Sequence, residues 1–445
     1  MIHTFELSKE IIDVKDDDGN TISRETIFSS LINTLQLERF YRNEERVIYG
    51  TTQYANIGFP MIRVYRLKSR KEDMKYSGMG YSYISSYYMI SFTVNLGMLL
   101  GGVRDPHVSI DIMSFKPDLV KAIYQEINDL VPILDTGDYN QFRVRRIDFC
   151  FDIDYYPDEY LRLISLGYSF PERKNNTVLS KDDEELLAEL PDSEPDVPDD
   201  EDNSSQDKSQ NVQDSIYYSR KGININIYHK GREIESRNLP SNPNRDYNFL
   251  RIEVQVKKNK LNHILSKLKK GEIESDMPEH LRQLDCIAIP DVEEYILEYY
   301  VNALTGEGMY FSQQGAIYYI MGNTRYSEKT REKMVAILME IKKRHGIAKF
   351  LELVEDGTIT QFGTVNTVKK HLRNIHNMDV NPVTIPARSK APNWTFTIQD
   401  GKRSYEEKML PNVLDLIRHY HKELREEKQR DLEEWRQIKK EQGME

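Results

Sequence analysis

Three carboxylates occupy alternate positions in one short stretch of the chain, RRIDFCFDID at 145–154. The alternation predicts a β-strand with Asp148, Asp152 and Asp154 on one face and apolar side chains on the other. Carboxylates this close repel one another unless a cation or water lies among them, and oxygen-only ligands suit Mg²⁺ or Mn²⁺. Taken alone, the stretch is more simply interpreted as an edge strand with one face in water.

A second alternating stretch, FLRIEVQVK at 249–257, places one acid on a basic face. Glu253 shares that face with Arg251 and Lys257, whereas the apolar side chains lie on the other. Its isolation makes Glu253 a candidate metal ligand beside Asp148. A ladder of paired charges, Arg251–Glu253–Lys257, is the alternative interpretation.

Between these stretches, residues 216–230 predict a hairpin of two strands around Lys221-Gly222. Tyr228 lies on the polar face of the second strand, and Lys230 follows it. A tyrosine so placed can attack a phosphodiester and form a covalent 5′-phosphotyrosine, while a neighbouring cation offsets charge in the transition state. The chain has 28 tyrosines, so position alone does not establish this role.

The order of the segments RIDF, YYSRKG with INIYHK, and LRIEVQVKK resembles plasmid rolling-circle replication initiators of the Rep_trans type and conjugative relaxases. In outline it is also similar to filamentous-phage gene II replication proteins. The resemblance implies metal ligands at Asp148 and Glu253. Asp152, on the same strand face as Asp148, is a third candidate ligand, and Mg²⁺ or Mn²⁺ is the expected cofactor. It further implies a nucleophile at Tyr228 and a catalytic lysine at Lys230.

Two departures from the family pattern leave alternatives open. His229 stands where the family has Asp or Asn, and no glycine precedes Ser219. Tyr218 is therefore an alternative nucleophile. A conjugative relaxase with the same chemistry and a non-catalytic origin-binding regulator are the alternative functions.

The formal charge of −11 is distributed unevenly. Residues 173–214 carry fourteen acidic and four basic side chains, and we expect this segment to be a disordered insert. Residues 215–270 carry thirteen basic and four acidic side chains, which is the electrostatic footprint expected for phosphates.

We predict DNA contacts in two places, the basic segment 215–270 and a helix in the C-terminal region. The helix predicted at 365–376 presents polar and basic side chains on one side, as a recognition helix would, although a simple packing helix has the same pattern. The candidate DNA-binding residues are Arg220, Lys221, Lys257, Lys258, Lys260, Lys369, Lys370 and Arg373.

The elements that must position these residues predict an α+β fold. An antiparallel-sheet nuclease domain with helices on one face would comprise 1–172 and 215–288, divided by the acidic insert at 173–214. A helical DNA-binding region with winged-helix character would follow at 289–400, and a charged helix at 401–445. Strands are expected at 46–49, 61–65, 81–96, 107–113 and 143–154, and a helix from Pro117 to Val131.

Composition narrows the class of protein. Two cysteines are too few for a disulfide framework, and neither a membrane-length apolar run nor a signal peptide is present, so we expect a cytoplasmic protein without a membrane partner. A glycine-rich phosphate loop is also missing, so unwinding would need a host helicase. The expected partners are origin DNA, that helicase and a host polymerase, and a homodimer is left open.

Overall fold

The computed structural model describes residues 1–15, 18–42, 46–70, 84–99, 105–112, 117–134, 142–168, 215–220, 222–270, 284, 288–397 and 404–441. The predicted insert at 173–214 lies outside these residues, as do Lys221, the tyrosines at 81 and 83, and Cys286. Cys150 is a free thiol, and its burial raises its pKa to about 11.

The centre of the molecule is an antiparallel sheet. The strands of this half of the chain are β1 (Ile2–Glu10), β2 (Val14–Lys15), β3 (Thr21–Ile22), β4 (Glu38–Arg42), β5 (Arg46–Thr51), β6 (Met61–Arg70), β7 (Ile84–Asn95), β8 (Arg143–Ile153), β9 (Ser215–Arg220), β10 (Ile223–His229) and β11 (Leu250–Lys257). Strands β2 and β3 pair only with each other among the described residues. The other nine form one sheet in the order β4-β5-β6-β7-β1-β8-β11-β10-β9.

Helices pack on one face of this sheet. They are α1 (Arg24–Thr34), α2 (Leu96–Leu99), α3 (Pro117–Leu130), α4 (Pro157–Ser165), α6 (Lys258–Lys269) and α7 (Pro290–Thr305), whereas α5 (Lys230–Ser236) directly follows β10. The apolar side chains of β8, β10 and β11 share a buried core with α4, α6 and α7. Because successive side chains of a strand point to opposite faces, the polar side chains of the same strands lie on the face away from these helices.

The predicted α+β class with a large antiparallel sheet is confirmed, and most predicted elements of this half are present. The strand expected at 107–113 is wrong. Residues 105–112 instead form an irregular segment that crosses the polar face and touches β1 through one isolated bridge, Ile2 to Ile110. Lys230 was placed on the strand with Tyr228, but β10 ends at His229 and Lys230 begins α5.

The C-terminal region contains more than helices. Helices α8 (Gln313–Gly322), α9 (Glu328–Lys343), α10 (Ile347–Glu355), α11 (Val365–His376) and α12 (Val413–Glu441) accompany strands β12 (Tyr310–Phe311), β13 (Asn393–Thr397) and β14 (Ser404–Leu410). The strands form a sheet in the order β12-β14-β13. The charged helix expected at 401–445 therefore begins only at Val413, because residues 404–410 form β14 and pair with β13.

The helix at 365–376 has the predicted bounds. Among the described residues, the helices are all too short or too polar to cross a lipid bilayer.

Candidate active site

The register of the central strands gathers the predicted site residues on the polar face. Asp152 lies opposite Arg251 on the neighbouring strand, and Tyr228 lies opposite Arg251 on its other side. Two residues after Arg251 on β11, Glu253 lies opposite Cys150 of β8 and Asn226 of β10. Asp148 lies opposite Gln255, which makes it a diagonal neighbour of Glu253. Three strands distant in sequence therefore supply one cluster.

Tyr228 and Glu253 are in direct contact. The Tyr228 hydroxyl donates to Glu253 Oε2 at 3.1 Å. Burial raises the pKa of Tyr228 well above its ordinary value, and the negative charge of Glu253 raises it further. The hydroxyl is therefore protonated in this arrangement, and Glu253 orients it.

His3 on β1 is the second partner of Glu253. Its Nδ1 lies 3.5 Å from Glu253 Oε2, and its Nε2 lies 3.1 Å from the Pro106 carbonyl oxygen, to which it donates. Burial on its own raises the pKa of Glu253, but the contacts with His3, Arg251 and Tyr228 outweigh it and lower that pKa to about 2. Glu253 is thus a stable carboxylate in a buried position.

Asp148 is buried, with 1% of its surface exposed. The Thr4 hydroxyl donates to its Oδ2, and Arg146 Nε lies 3.2 Å from its Oδ1. That second contact lacks hydrogen-bond geometry, so Oδ1 is a buried carboxylate oxygen without a hydrogen bond. Burial raises the pKa of Asp148, Arg146 opposes this shift, and the charge of Glu253 adds to it. Asp148 and Glu253 therefore repel each other across the face.

Asp152 belongs to a different interaction. The Arg251 guanidinium donates to both of its carboxylate oxygens, each at 2.7 Å. Arg251 is 1% exposed and also donates to the His107 carbonyl oxygen at 3.0 Å. Because this bidentate pair occupies both oxygens of Asp152, we do not retain that residue as a metal ligand, although the sequence pattern suggested it.

Lys230 remains beside Tyr228 although it lies in α5. Its ammonium group is 5.3 Å from the centre of the Tyr228 ring and donates to Glu233 Oε2 at 2.8 Å. Burial and the nearby Arg251 lower the pKa of Lys230, and Glu233 partly offsets them. A lysine held in this way places positive charge close to the tyrosine.

The described residues contain no group of three or more His, Cys, Asp and Glu side chains arranged to hold a metal ion. A magnesium site does not require three, because Mg²⁺ commonly binds through one or two carboxylates and completes its shell with water and substrate phosphate. Asp148 and Glu253 fit that donor set: they are two buried acids that repel each other, one of them with an oxygen lacking a hydrogen bond.

The neighbouring tyrosines lie on opposite faces. Tyr218, the alternative nucleophile, lies opposite Ile225 and packs against the hydrophobic core. Tyr217 lies opposite Asn226, on the same face as Glu253, and is 61% exposed. Because Tyr218 lies on the apolar face, Tyr228 is the better candidate nucleophile. Tyr217 lies on the polar face with Tyr228, and the sequence pattern did not single it out.

His3, Thr4 and Arg146 were also missed by the sequence analysis. Strand β1 lies between β7 and β8, and the pairing register of β1 with β8 shifts between Ile2 and Phe5. This irregularity breaks the alternation by which a strand is recognised. His3, near the start of β1, was the only signal in the sequence that pointed to a role for this strand in the site.

The predicted DNA-binding residues are divided between two regions. Lys369, Lys370 and Arg373 are exposed on α11, whereas Val368 and Leu372 are buried against its neighbours. Lys260 is partly buried, and its ammonium group lies 5.9 and 6.0 Å from the ring centres of Tyr299 and Tyr300. Lys257 and Lys258 are also partly buried where β11 meets α6, and Arg220 ends β9.

No protein-family model and no curated protein matches this chain.

The buried Arg251–Asp152 pair should dominate the stability of this face. We expect Arg251→Met to lower the free energy of unfolding by about 3 kcal/mol, because it leaves Asp152 without its partner in a largely buried position. Urea unfolding measures the change. Arg24→Met is the matched control, since the Arg24–Asp13 pair is exposed to solvent and its loss should cost much less stability. Equal losses in both variants would contradict this assignment.

Asp148 and Glu253 should make opposite contributions to the pH dependence of stability. The raised pKa of Asp148 stabilises the fold below its ordinary value of 3.8, and that contribution is lost as pH rises through the raised pKa. The lowered pKa of Glu253 stabilises the fold above 4.5, and that contribution is lost as pH falls toward 2.

Between pH 4 and 7 we therefore expect Asp148→Asn to gain stability relative to wild type as pH rises. Glu253→Gln should lose stability relative to wild type as pH rises from 2 to 4.5 and should change little above that pH. Urea unfolding at each pH gives both differences. Two differences that change with the same sign would show that the pair is not arranged as described.

Proposed function

We propose that this chain nicks and rejoins one strand of DNA through Tyr228, as a rolling-circle replication initiator would. The observation that carries the proposal is the hydrogen bond from the Tyr228 hydroxyl to the buried carboxylate of Glu253, on a face that also holds Lys230 and Asp148. The resemblance of the three sequence segments to such initiators supports the same function.

In the proposed reaction, the Tyr228 oxygen, oriented by Glu253 Oε2, attacks the phosphorus of a phosphodiester as its proton passes to water. The bond from phosphorus to the 3′ oxygen breaks, the 5′ phosphate stays on Tyr228, and the 3′ oxygen takes a proton from water. Lys230 and Arg251 lie close enough to stabilise the developing phenolate. The free 3′ hydroxyl then serves as a primer, and the reverse attack reseals the strand.

Asp148 and Glu253 would hold the divalent cation, Mg²⁺ or Mn²⁺, in this proposal. When bound, such an ion neutralises charge on the phosphate oxygens and supports in-line displacement. Arg146, which lies beside Asp148, keeps that carboxylate in place on the face.

Recognition of the origin is assigned to α11 in this proposal. Its exposed face carries Lys369, Lys370 and Arg373, and among the described residues no carboxylate forms an ion pair with any of the three. Helix α8 packs against β12, β14 and α9, and α9, α10 and α11 pack on one another. Together with the sheet order β12-β14-β13, this arrangement is compatible with the expected winged-helix character. Lysine and arginine on such a helix bind phosphates and guanine.

A conjugative relaxase would use the same chemistry. It would differ in the fate of the nicked strand, which is transferred to another cell rather than extended in place by a host polymerase.

The nucleophile can be tested by covalent trapping. A supercoiled plasmid that carries the gene of this chain with its flanking DNA is incubated with the protein and Mn²⁺, and the protein–DNA adduct is measured on a denaturing gel. Because phenylalanine lacks the attacking oxygen, Tyr228→Phe should reduce adduct formation at least 1,000-fold, about the scale expected when a covalent nucleophile is lost.

Tyr217→Phe and Tyr218→Phe are the matched controls, and both should form the adduct at close to the wild-type rate. Loss of the adduct in either control, with Tyr228→Phe active, would move the nucleophile to that position. A wild-type protein that binds this DNA without nicking it would favour the non-catalytic regulator.

The role of α11 can be tested through salt dependence. We expect Lys369→Gln/Lys370→Gln to weaken binding to the same DNA and to lower the slope of log K against log salt by about 2, since each lysine neutralises about one phosphate. Fluorescence anisotropy over a salt series measures the slope. Lys349→Gln/Lys422→Gln removes the same charge from exposed ion pairs elsewhere and should leave it unchanged. Equal slopes for the two variants would place the DNA elsewhere.

A further inference from the structure

A small cavity opens at the edge of the sheet opposite to β9. It is lined by Phe28, Arg39, Arg42, Val47, Tyr49 and Arg66 and has a volume of about 130 Å³. Half of its lining residues are arginines and two are aromatic. It lies on the face that carries the helices, about 19 Å from the strand of Asp148 at four strand spacings, so it is distinct from the candidate active site.

An irregularity in the edge strand β4 builds this cavity. The register with β5 shifts between Arg39 and Tyr41, so Arg39 lies opposite Tyr49 and Arg42 lies opposite Val47 on one face. Phe40 lies against Gly50, where a Cβ atom would be only 3.0 Å from its ring. The shift therefore places both arginines of the strand at the cavity, where Arg66 of β6, opposite Val47, joins them.

In the part of the chain that the structure describes, the three arginines have no anionic partners. Among the described residues, no carboxylate forms an ion pair with Arg39, Arg42 or Arg66. The Arg39 guanidinium lies 5.7 Å from the centre of the Tyr49 ring, a stacked contact that orients its donors. Glu25 on α1, which contributes Phe28 to the cavity, accepts a hydrogen bond from the Tyr88 hydroxyl at 2.9 Å.

From this geometry we infer that the cavity binds a phosphate group. Three guanidinium forks around one small space match a tetrahedral anion with several oxygens, whereas a single fork suffices for a carboxylate. At about 130 Å³ the cavity has room for a phosphate group, and it is open to solvent, so the rest of a larger ligand would lie outside it. The phosphate is either that of a free nucleotide or one within a DNA strand.

Binding to the full chain is measured by calorimetry with inorganic phosphate and 5′-dAMP, and by anisotropy with a labelled 12-nucleotide single strand. Arg39→Gln/Arg42→Gln should weaken binding of inorganic phosphate at least tenfold, and Arg66→Gln should do the same. The control is Arg325→Gln/Arg418→Gln, which removes one arginine stacked on Tyr326 and one in exposed ion pairs, and it should bind within twofold of wild type. Thermal unfolding confirms that each variant is folded.

The two sources of phosphate are separated by the other probes. A tenfold loss for 5′-dAMP as well indicates a site for free nucleotides. A loss for the 12-nucleotide strand without one for 5′-dAMP indicates a phosphate within DNA. Unchanged binding of inorganic phosphate in the cavity variants overturns the proposal, and so does displacement of phosphate by acetate at equal concentration. Nicking depends on Tyr228 on the polar face, whereas the cavity lies on the face covered by helices. The outcome of the Tyr228→Phe experiment therefore does not change the outcome expected for phosphate binding.

Discussion

The buried guanidinium of Arg251 constrains the whole polar face of the sheet. A cation that is 1% exposed must be surrounded by acceptors, and it finds them in both oxygens of Asp152 and in the His107 carbonyl oxygen. These contacts join β8 to β11 and hold residues 105–112 across the face. The Pro106 carbonyl oxygen in that segment orients His3, and His3 in turn contacts Glu253. The position of Glu253, the hydrogen-bond partner of Tyr228, thus depends on the contacts of Arg251 with Asp152 and with residues 105–112.

Alternation of apolar and polar residues was enough to predict β8, β10 and β11 and the face on which Asp148, Glu253 and Tyr228 lie. It could not show which acid faces which cation, because register is a tertiary property and shifts the partner of every residue. Asp152 illustrates this limit: it has the same spacing as Asp148 but lies opposite Arg251. Strand β1 escaped prediction because its register shift interrupts the period of two, and His3 was missed with it.

The opposite error occurred at residues 107–113, where the sequence alternates as a strand would. There the backbone pairs with β1 at a single bridge, and the segment lies over the polar face, where the His107 carbonyl oxygen accepts a hydrogen bond from Arg251. In the C-terminal region, the period of α11 identified the helix and its exposed basic side, whereas the short strand β12 carries too few residues for any pattern. Local periodicity thus identified elements with one apolar side and failed where contacts distant in sequence determine the conformation.

The order of the strands also bears on how the chain is synthesised. Strand β8 pairs with β11, whose residues follow it by about a hundred positions, from Asp152 to Arg251. At typical rates of translation, β8 waits roughly 5 to 20 s for that partner. Over this interval its hydrogen-bonding edge and its row of acids lack the strand and the arginine that later cover them. A newly made chain therefore passes through a period in which this edge needs protection from other strands, and the complete polar face exists only after β11 has left the ribosome.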